Sequence, residues 1–121
     1  MSLLSIADSF YVGVNDIPAS VAWYVEKLGC TRTRVELDDD CENCLALCFP
    51  KERSVSIVIG PVSNVPDPAT RMLYSRDIEK AHQWLNFRGV AVGAITTDRQ
   101  GTRYFSMRDL EGNSIEVSEE P

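Results

Sequence analysis

The sequence predicts an α+β protein built from two βαβββ modules whose strands form a curved mixed sheet around a shared cleft. Three observations carry that prediction. Asp16-Ile17 opens a helix-like stretch containing Trp23, and 61 residues later Asp77-Ile78 opens another, with Trp84 at the same internal spacing. Ser56-Ile57-Val58-Ile59 recurs 58 residues on as Ser114-Ile115-Glu116-Val117. Between these landmarks several segments alternate apolar and polar residues, the period of half-buried strands. A repeat of this length makes the half-chain the unit to explain. Two copies of a half-open sheet can enclose one cleft.

Each element follows in order. Phe10, Val12 and Val14 alternate with Tyr11 and Gly13 as a first strand. Asn15 or Asp16 caps a helix with Pro18 in its first turn, where a missing N–H costs little. Val21, Tyr24, Val25 and Leu28 form its apolar stripe, and Gly29 ends it. Residues 31–37 read as a β-rich run, followed by an acidic turn at 38–40. Residues 44–49 read as a strand with Leu45, Leu47 and Phe49 on one face. A turn at 50–54 leads to a fourth strand with Val55, Ile57 and Ile59 inward. Three prolines make residues 60–68 a stiff linker between the halves.

The second half repeats the order. Residues 70–75 are a strand, and Arg76 or Asp77 starts a helix with Ile78, Ala81, Trp84 and Leu85 inward, closed by Gly89. Residues 90–96 form a strand, 98–101 a turn, 103–108 a strand, 109–113 a tight turn and 114–118 the last strand. At 121 residues the expectation is one domain, its modules spanning roughly 5–60 and 69–119.

A net charge of −6 argues against a nucleic-acid partner. No apolar run approaches the roughly 20 residues that span a bilayer, and no signal peptide is visible. No membrane association and a cytoplasmic location are therefore expected. The four cysteines, Cys30, Cys41, Cys44 and Cys48, include one C-x-x-C but no second pair of metal-ligand spacing. They are read as free thiols used in packing. His82 is the sole histidine and is read as solvated, which leaves no His-based catalytic dyad or triad.

The ending YFSMRDLEGNSIEV, residues 104–117, resembles the F-x-D-P-x-G-N-x-I-E ending of the vicinal oxygen chelate superfamily. That superfamily includes glyoxalase I, bleomycin-resistance proteins, fosfomycin-resistance enzymes and extradiol dioxygenases. The opening YVGVNDIPASVAWYVEKLG, residues 11–29, is similar to its first strand and helix. The resemblance implies metal ligands on the first and last strands of each module in the metal-dependent members. The last-strand ligand maps onto Glu116 and its first-module counterpart onto Val58. The first-strand positions fall near Ser9 and Thr70. One donor of four does not make a divalent-cation site, so neither metal nor cofactor is expected.

Strand alternation nominates the cleft lining, since side chains opposite the core set face away from the helices. The ligand-binding candidates are Tyr11, Val58, Thr70, Met72, Tyr74, Tyr104, Ser106 and Glu116, with Ser9, Ser56, Cys44, Cys48 and Ser114 on the same faces. Aromatic rings, hydroxyls and one carboxylate suit a small-molecule pocket. Glu116 has a plainer reading, a salt bridge to Arg71 or Arg103. Three functions compete. One is a metal-independent protein that sequesters a small molecule. The second is a metal-dependent lyase, transferase or dioxygenase with an atypical site using Glu116. The third is a non-catalytic interaction or regulatory module whose cleft is closed by packing. Stoichiometric metal favours the second, an open aromatic cup without metal the first, and a collapsed cup the third. Open sheet edges, and the pairing the resemblance implies, predict a homodimer.

Overall fold

The computed structural model describes residues 4–6, 8–33, 44–49, 56–62 and 71–120. The described residues fall into two compact units, each with one sheet and one helix. In the first, β1 (Phe10–Val14) leads into α1 (Ile17–Leu28), then β2 (Thr31–Arg32), β3 (Leu45–Cys48) and β4 (Ile57–Pro61). The strand order is β1-β4-β3-β2, with β1 parallel to β4 and the other pairs antiparallel.

The second unit repeats the plan. It runs β5 (Met72–Ser75), α2 (Ile78–Phe87), β6 (Ala91–Val92), β7 (Thr96–Thr97), β8 (Arg103–Arg108) and β9 (Ser114–Glu119). Here β5 pairs in parallel with β9, β9 antiparallel with β8, and β6 and β7 each pair with β8. Leu4 is buried, and Ser5 bridges Tyr74 on the outer edge of β5.

Both helices start as their sequence signals require. Asp16 Oδ1 accepts the Ala19 N–H at 3.1 Å, and Asp77 Oδ1 accepts the Lys80 N–H at 3.1 Å. Each bond satisfies an N–H that lacks an intrahelical acceptor. Gly29 closes α1 at φ 77°, the left-handed conformation that favours glycine. Val21, Tyr24 and Leu28 are buried, while Val25 is exposed, so the stripe is narrower than expected.

In α2, Ile78, Ala81 and Leu85 are buried. Trp84, expected inward, is half-buried, with the Arg88 guanidinium 4.8 Å from its ring centroid. The core faces of the sheets alternate as expected. Phe10, Val12, Leu47, Ile57 and Ile59 fill one, and Leu73, Phe105, Met107, Ile115 and Val117 the other. Leu45 is at the margin and exposed.

Residues 90–96 do not form one strand. Val92 pairs with Met107 and Thr96 with Tyr104, so three residues face two across the gap. The extra residue is a bulge, which interrupts the ladder and frees a backbone carbonyl. His82 takes it up: its Nε2 lies 2.8 Å from the Gly93 oxygen, and its ring meets Phe105 edge-on at 4.9 Å. His82 is thus half-buried and structural rather than solvated.

The cysteines also depart from expectation. Cys30 is a buried free thiol, pushed up to about 12 by burial and the neighbouring Cys48. Cys48 is free, but Cys44 is disulfide-bonded, so it packs as a half-cystine instead of a thiol. Cys41, the acidic turn, Val55, Thr70 and most of the proline-rich linker lie outside the described residues.

Candidate functional site

The strand register decides which candidates come together. On the second sheet, Met72 pairs with Glu116 and Glu116 with Ser106, making one transverse row over three strands. The next row is Tyr74, Ser118 and Tyr104. Their neighbours along each strand, Leu73, Val117 and Phe105, are fully buried. Alternation therefore puts both rows on the face away from the core. Five of the eight candidates, Met72, Tyr74, Tyr104, Ser106 and Glu116, lie in these rows. Ser118 is an addition. It could have been found by extending the alternation from Ser114 and Glu116 by two residues.

The Ser118 hydroxyl donates to the Glu119 oxygen at 3.3 Å, and the other polar groups of the face are unspent. Among the described residues, nothing hydrogen-bonds the Tyr74 or Tyr104 phenol, the Ser106 hydroxyl or the Glu116 carboxylate. The arginines proposed for Glu116 are used elsewhere. Arg71 Nη1 donates to the Ser114 oxygen at 3.3 Å. Arg103 meets Glu79 at 3.0 Å and Glu119 at 3.5 Å.

Beyond the tyrosine row the face deepens into an open cleft of about 360 Å³. Met72, Tyr74, Ser118 and Glu120 line one side, and the turn at Asp98, Gln100 and Thr102 the other. That turn is stiff: Asp98 Oδ1 accepts the N–H groups of Gln100 at 2.8 Å and Thr102 at 3.0 Å. Sequence reading recognised the turn but not its place beside the face. Only the register of β7 against β8 supplies that.

The D-L-E-G-N segment of the ending has an architectural task. Asp109, 7% exposed, accepts the N–H groups of Glu111 at 3.0 Å and Asn113 at 2.8 Å, and the Asn113 amide at 3.1 Å. It folds the hairpin that carries Ser106 and Glu116 into the same row.

The remaining candidates belong to the first unit. Tyr11, Val58 and Ala46 form a row there, equivalent by repeat to Met72, Glu116 and Ser106. Tyr11 is committed internally. Its hydroxyl donates to the Pro61 oxygen at 2.9 Å, and burial pushes its phenol up from the ordinary value. Cys44 Sγ lies 4.0 Å from the Tyr11 hydroxyl oxygen and, as a half-cystine, has no proton to donate. Ser56 is buried at 1% and accepts the Phe49 N–H at 3.4 Å, so it faces protein rather than a cleft. Ser9 is exposed.

The donor set around Glu116 does not fit a divalent cation. Its row neighbours are a thioether and a neutral hydroxyl, and His82 is taken by Gly93. Among the described residues no three His, Cys, Asp or Glu side chains lie together for a metal. Carboxylate, hydroxyl and thioether lack the imidazole or second carboxylate that gives transition-metal affinity. No helix of the described residues is long and apolar enough to cross a membrane.

Comparison with known proteins agrees with the architecture. The model of the Glyoxalase/Bleomycin resistance protein/Dioxygenase superfamily matches residues 6–117. A superfamily member from Sphaerobacter thermophilus superposes with a TM-score of 0.76 at 23% identity, covering 96% of this chain and 98% of that one. TnmS3, an antibiotic binding protein from a Streptomyces species, gives 0.74 at 21% identity over 97% and 98%. A lactoylglutathione lyase from Agrobacterium tumefaciens gives 0.69 at 18% identity over 95% and 93%. No curated protein matches the sequence.

Proposed function

We infer that this chain, which belongs to the Glyoxalase/Bleomycin resistance protein/Dioxygenase superfamily, is a metal-independent protein that binds and sequesters a small organic molecule. One observation carries the reading: the rows Met72–Glu116–Ser106 and Tyr74–Ser118–Tyr104 put the Glu116 carboxylate, the Ser106 hydroxyl and two tyrosine rings on one face, none of these groups hydrogen-bonded among the described residues. Rows on adjacent strands set the two tyrosine Cα atoms about 10 Å apart. In this reading the rings and Met72 meet the apolar body of the ligand, while Glu116 and Ser106 fix its orientation. The contact set read from the sequence also named Tyr11, Val58 and Thr70, of which Tyr11 and Val58 belong to the first unit, where Tyr11 is committed to Pro61.

The fold admits other chemistry, since an antibiotic binding protein and a lactoylglutathione lyase share it. The alternative is a metal-dependent lyase, transferase or dioxygenase using Glu116. It draws on the position of that carboxylate alone, with a donor set that does not fit. The working unit is proposed to be a cytoplasmic homodimer, supported by the place of β1 at the end of the four-stranded sheet formed by the described residues. Sizing at micromolar concentration should then give about twice the 13.5 kDa chain mass, and a monomer contradicts it.

A thermal-shift screen of small molecules in the presence of EDTA tests the function. Hits should lose their effect in Glu116→Gln and in the Tyr74→Phe/Tyr104→Phe pair. Hits that need added metal, or that ignore all of these substitutions, overturn the reading.

A further inference from the structure

The cleft beyond the tyrosine row is lined by three acidic residues that the eight candidates leave out, Asp98, Glu119 and Glu120; Asp98 holds its own turn and Glu119 is paired with Arg103. Glu120 lines the cleft beside Tyr74, and both of its oxygens are held. Ser5 Oγ donates to Oε1 at 3.1 Å, and Arg76 Nε donates to Oε2 at 3.3 Å. Its backbone N–H is bonded to the Ser75 oxygen at 3.0 Å. Ser5 is anchored in turn. Its N–H donates to the Tyr74 oxygen at 2.8 Å, and its oxygen accepts the Tyr74 N–H at 2.9 Å. Leu4, 3% exposed, buries the segment's apolar end. Residues 4–6, which precede β1 in the chain, thus belong to the second unit and brace a carboxylate of its cleft.

A carboxylate offers about four acceptor positions. Ser5 and Arg76 use one on each oxygen, which fixes the orientation of the group and leaves acceptors for a ligand. Arg76 offsets the charge only in part, because it is 78% exposed and its guanidinium is largely solvated. Among the described residues no basic side chain lines the cleft itself. A preoriented carboxylate next to an aromatic ring and a thioether favours an N–H donor carrying positive charge on an aromatic body.

We propose that this cleft takes an aromatic amine or amidine, that Glu120 is the residue that selects for the cation, and that Ser5 and Arg76 are its positioning residues. The inference rests on the small-molecule-binding reading and names the ligand class. Benzamidine and benzoate, similar in shape and opposite in charge, are suitable probes. Titrated into the full-length protein and followed by amide NMR, benzamidine should shift Tyr74, Ser118 and Gln100 through Thr102, while benzoate should not.

Glu120→Gln should weaken benzamidine by about tenfold or more, the loss of one charge-assisted hydrogen bond. Ser5→Ala should weaken it several-fold. Arg76→Gln should tighten it, a gain that a damaged fold cannot produce. Benzoate binding as well as benzamidine overturns the proposal, as does absence of benzamidine binding or an unaltered affinity in Glu120→Gln. Sensitivity to Glu116→Gln but not to Glu120→Gln also overturns it, while leaving the broader reading of the face intact.

Discussion

The two units carry equivalent rows on equivalent strands and use them in opposite ways. In the first, Tyr11, Val58 and Ala46 stand where the second has Met72, Glu116 and Ser106. One row further on, the first unit pairs Gly13 with Gly60, and the second pairs Tyr74 with Ser118. The glycines leave room that the first unit fills itself. A Cβ at Gly60 would overlap the Tyr11 phenol, and it would come within 2.5 Å of the Cys44 sulfur. The phenol then spends its hydroxyl on Pro61. Among the described residues the second unit has no such internal lid, and the polar groups of Tyr74, Tyr104, Ser106 and Glu116 stay available. A duplicated module thus has one copy closed on itself and one left open, and the open copy is where binding is proposed.

The largest effect should separate the two faces of the second sheet. Phe105→Ala removes a side chain 1% exposed, under α2, and should cost about 3–5 kcal/mol in denaturant unfolding. Ser106→Ala, the next residue but on the open face, should stay within about 0.5 kcal/mol.

The interior of the first unit gives a pH-dependent effect. Cys30 is raised from 9.0 to about 12 by burial, so between those pH values the unfolded chain loses a proton that the folded one keeps. Stability contributed by this group is complete below about pH 9 and lost as pH rises toward 12, by up to about 4 kcal/mol. Cys30→Ala should flatten the alkaline decline relative to wild type. An unchanged slope contradicts the assignment.

Closure of the first unit is tested at its glycine gap. Gly60→Ala should cost about 1–3 kcal/mol through overpacking and displace the Tyr11 ring, visible in its aromatic NMR signals. Exchanging the row centres is a sharper test. Val58→Glu places a carboxylate between Tyr11 and Ala46 and should destabilise by roughly 1–3 kcal/mol. Glu116→Val should leave stability level or slightly higher while abolishing ligand binding. The smallest effect is expected from Tyr11→Phe, about 1 kcal/mol for one hydrogen bond.

Much of this was legible in the sequence because its signals are local. Asp16 and Asp77 cap their helices, Gly29 ends one, and residues 103–108 form a strand at the predicted bounds. The 61- and 58-residue offsets reappear as the registers Tyr11 with Val58 and Met72 with Glu116. What was not legible depends on partners distant in the chain. Alternation cannot show that a bulge splits residues 90–96, nor that its free carbonyl claims His82. It cannot show that Ser5 reaches Tyr74 and Glu120, 69 and 115 residues away. Alternation also nominated Ser56 for the open face, but the Phe49 N–H turns its hydroxyl to structural use.

The central claim is that Glu116 serves the ligand directly and not through a metal. Elemental analysis of protein purified without chelator, with titration of Zn²⁺, Ni²⁺ and Mn²⁺ into wild type and Glu116→Ala, measures it most directly. Wild type should carry no stoichiometric metal and show no tight metal binding that depends on Glu116. One equivalent bound tightly by wild type and lost in Glu116→Ala would contradict it and restore the metal-dependent enzyme.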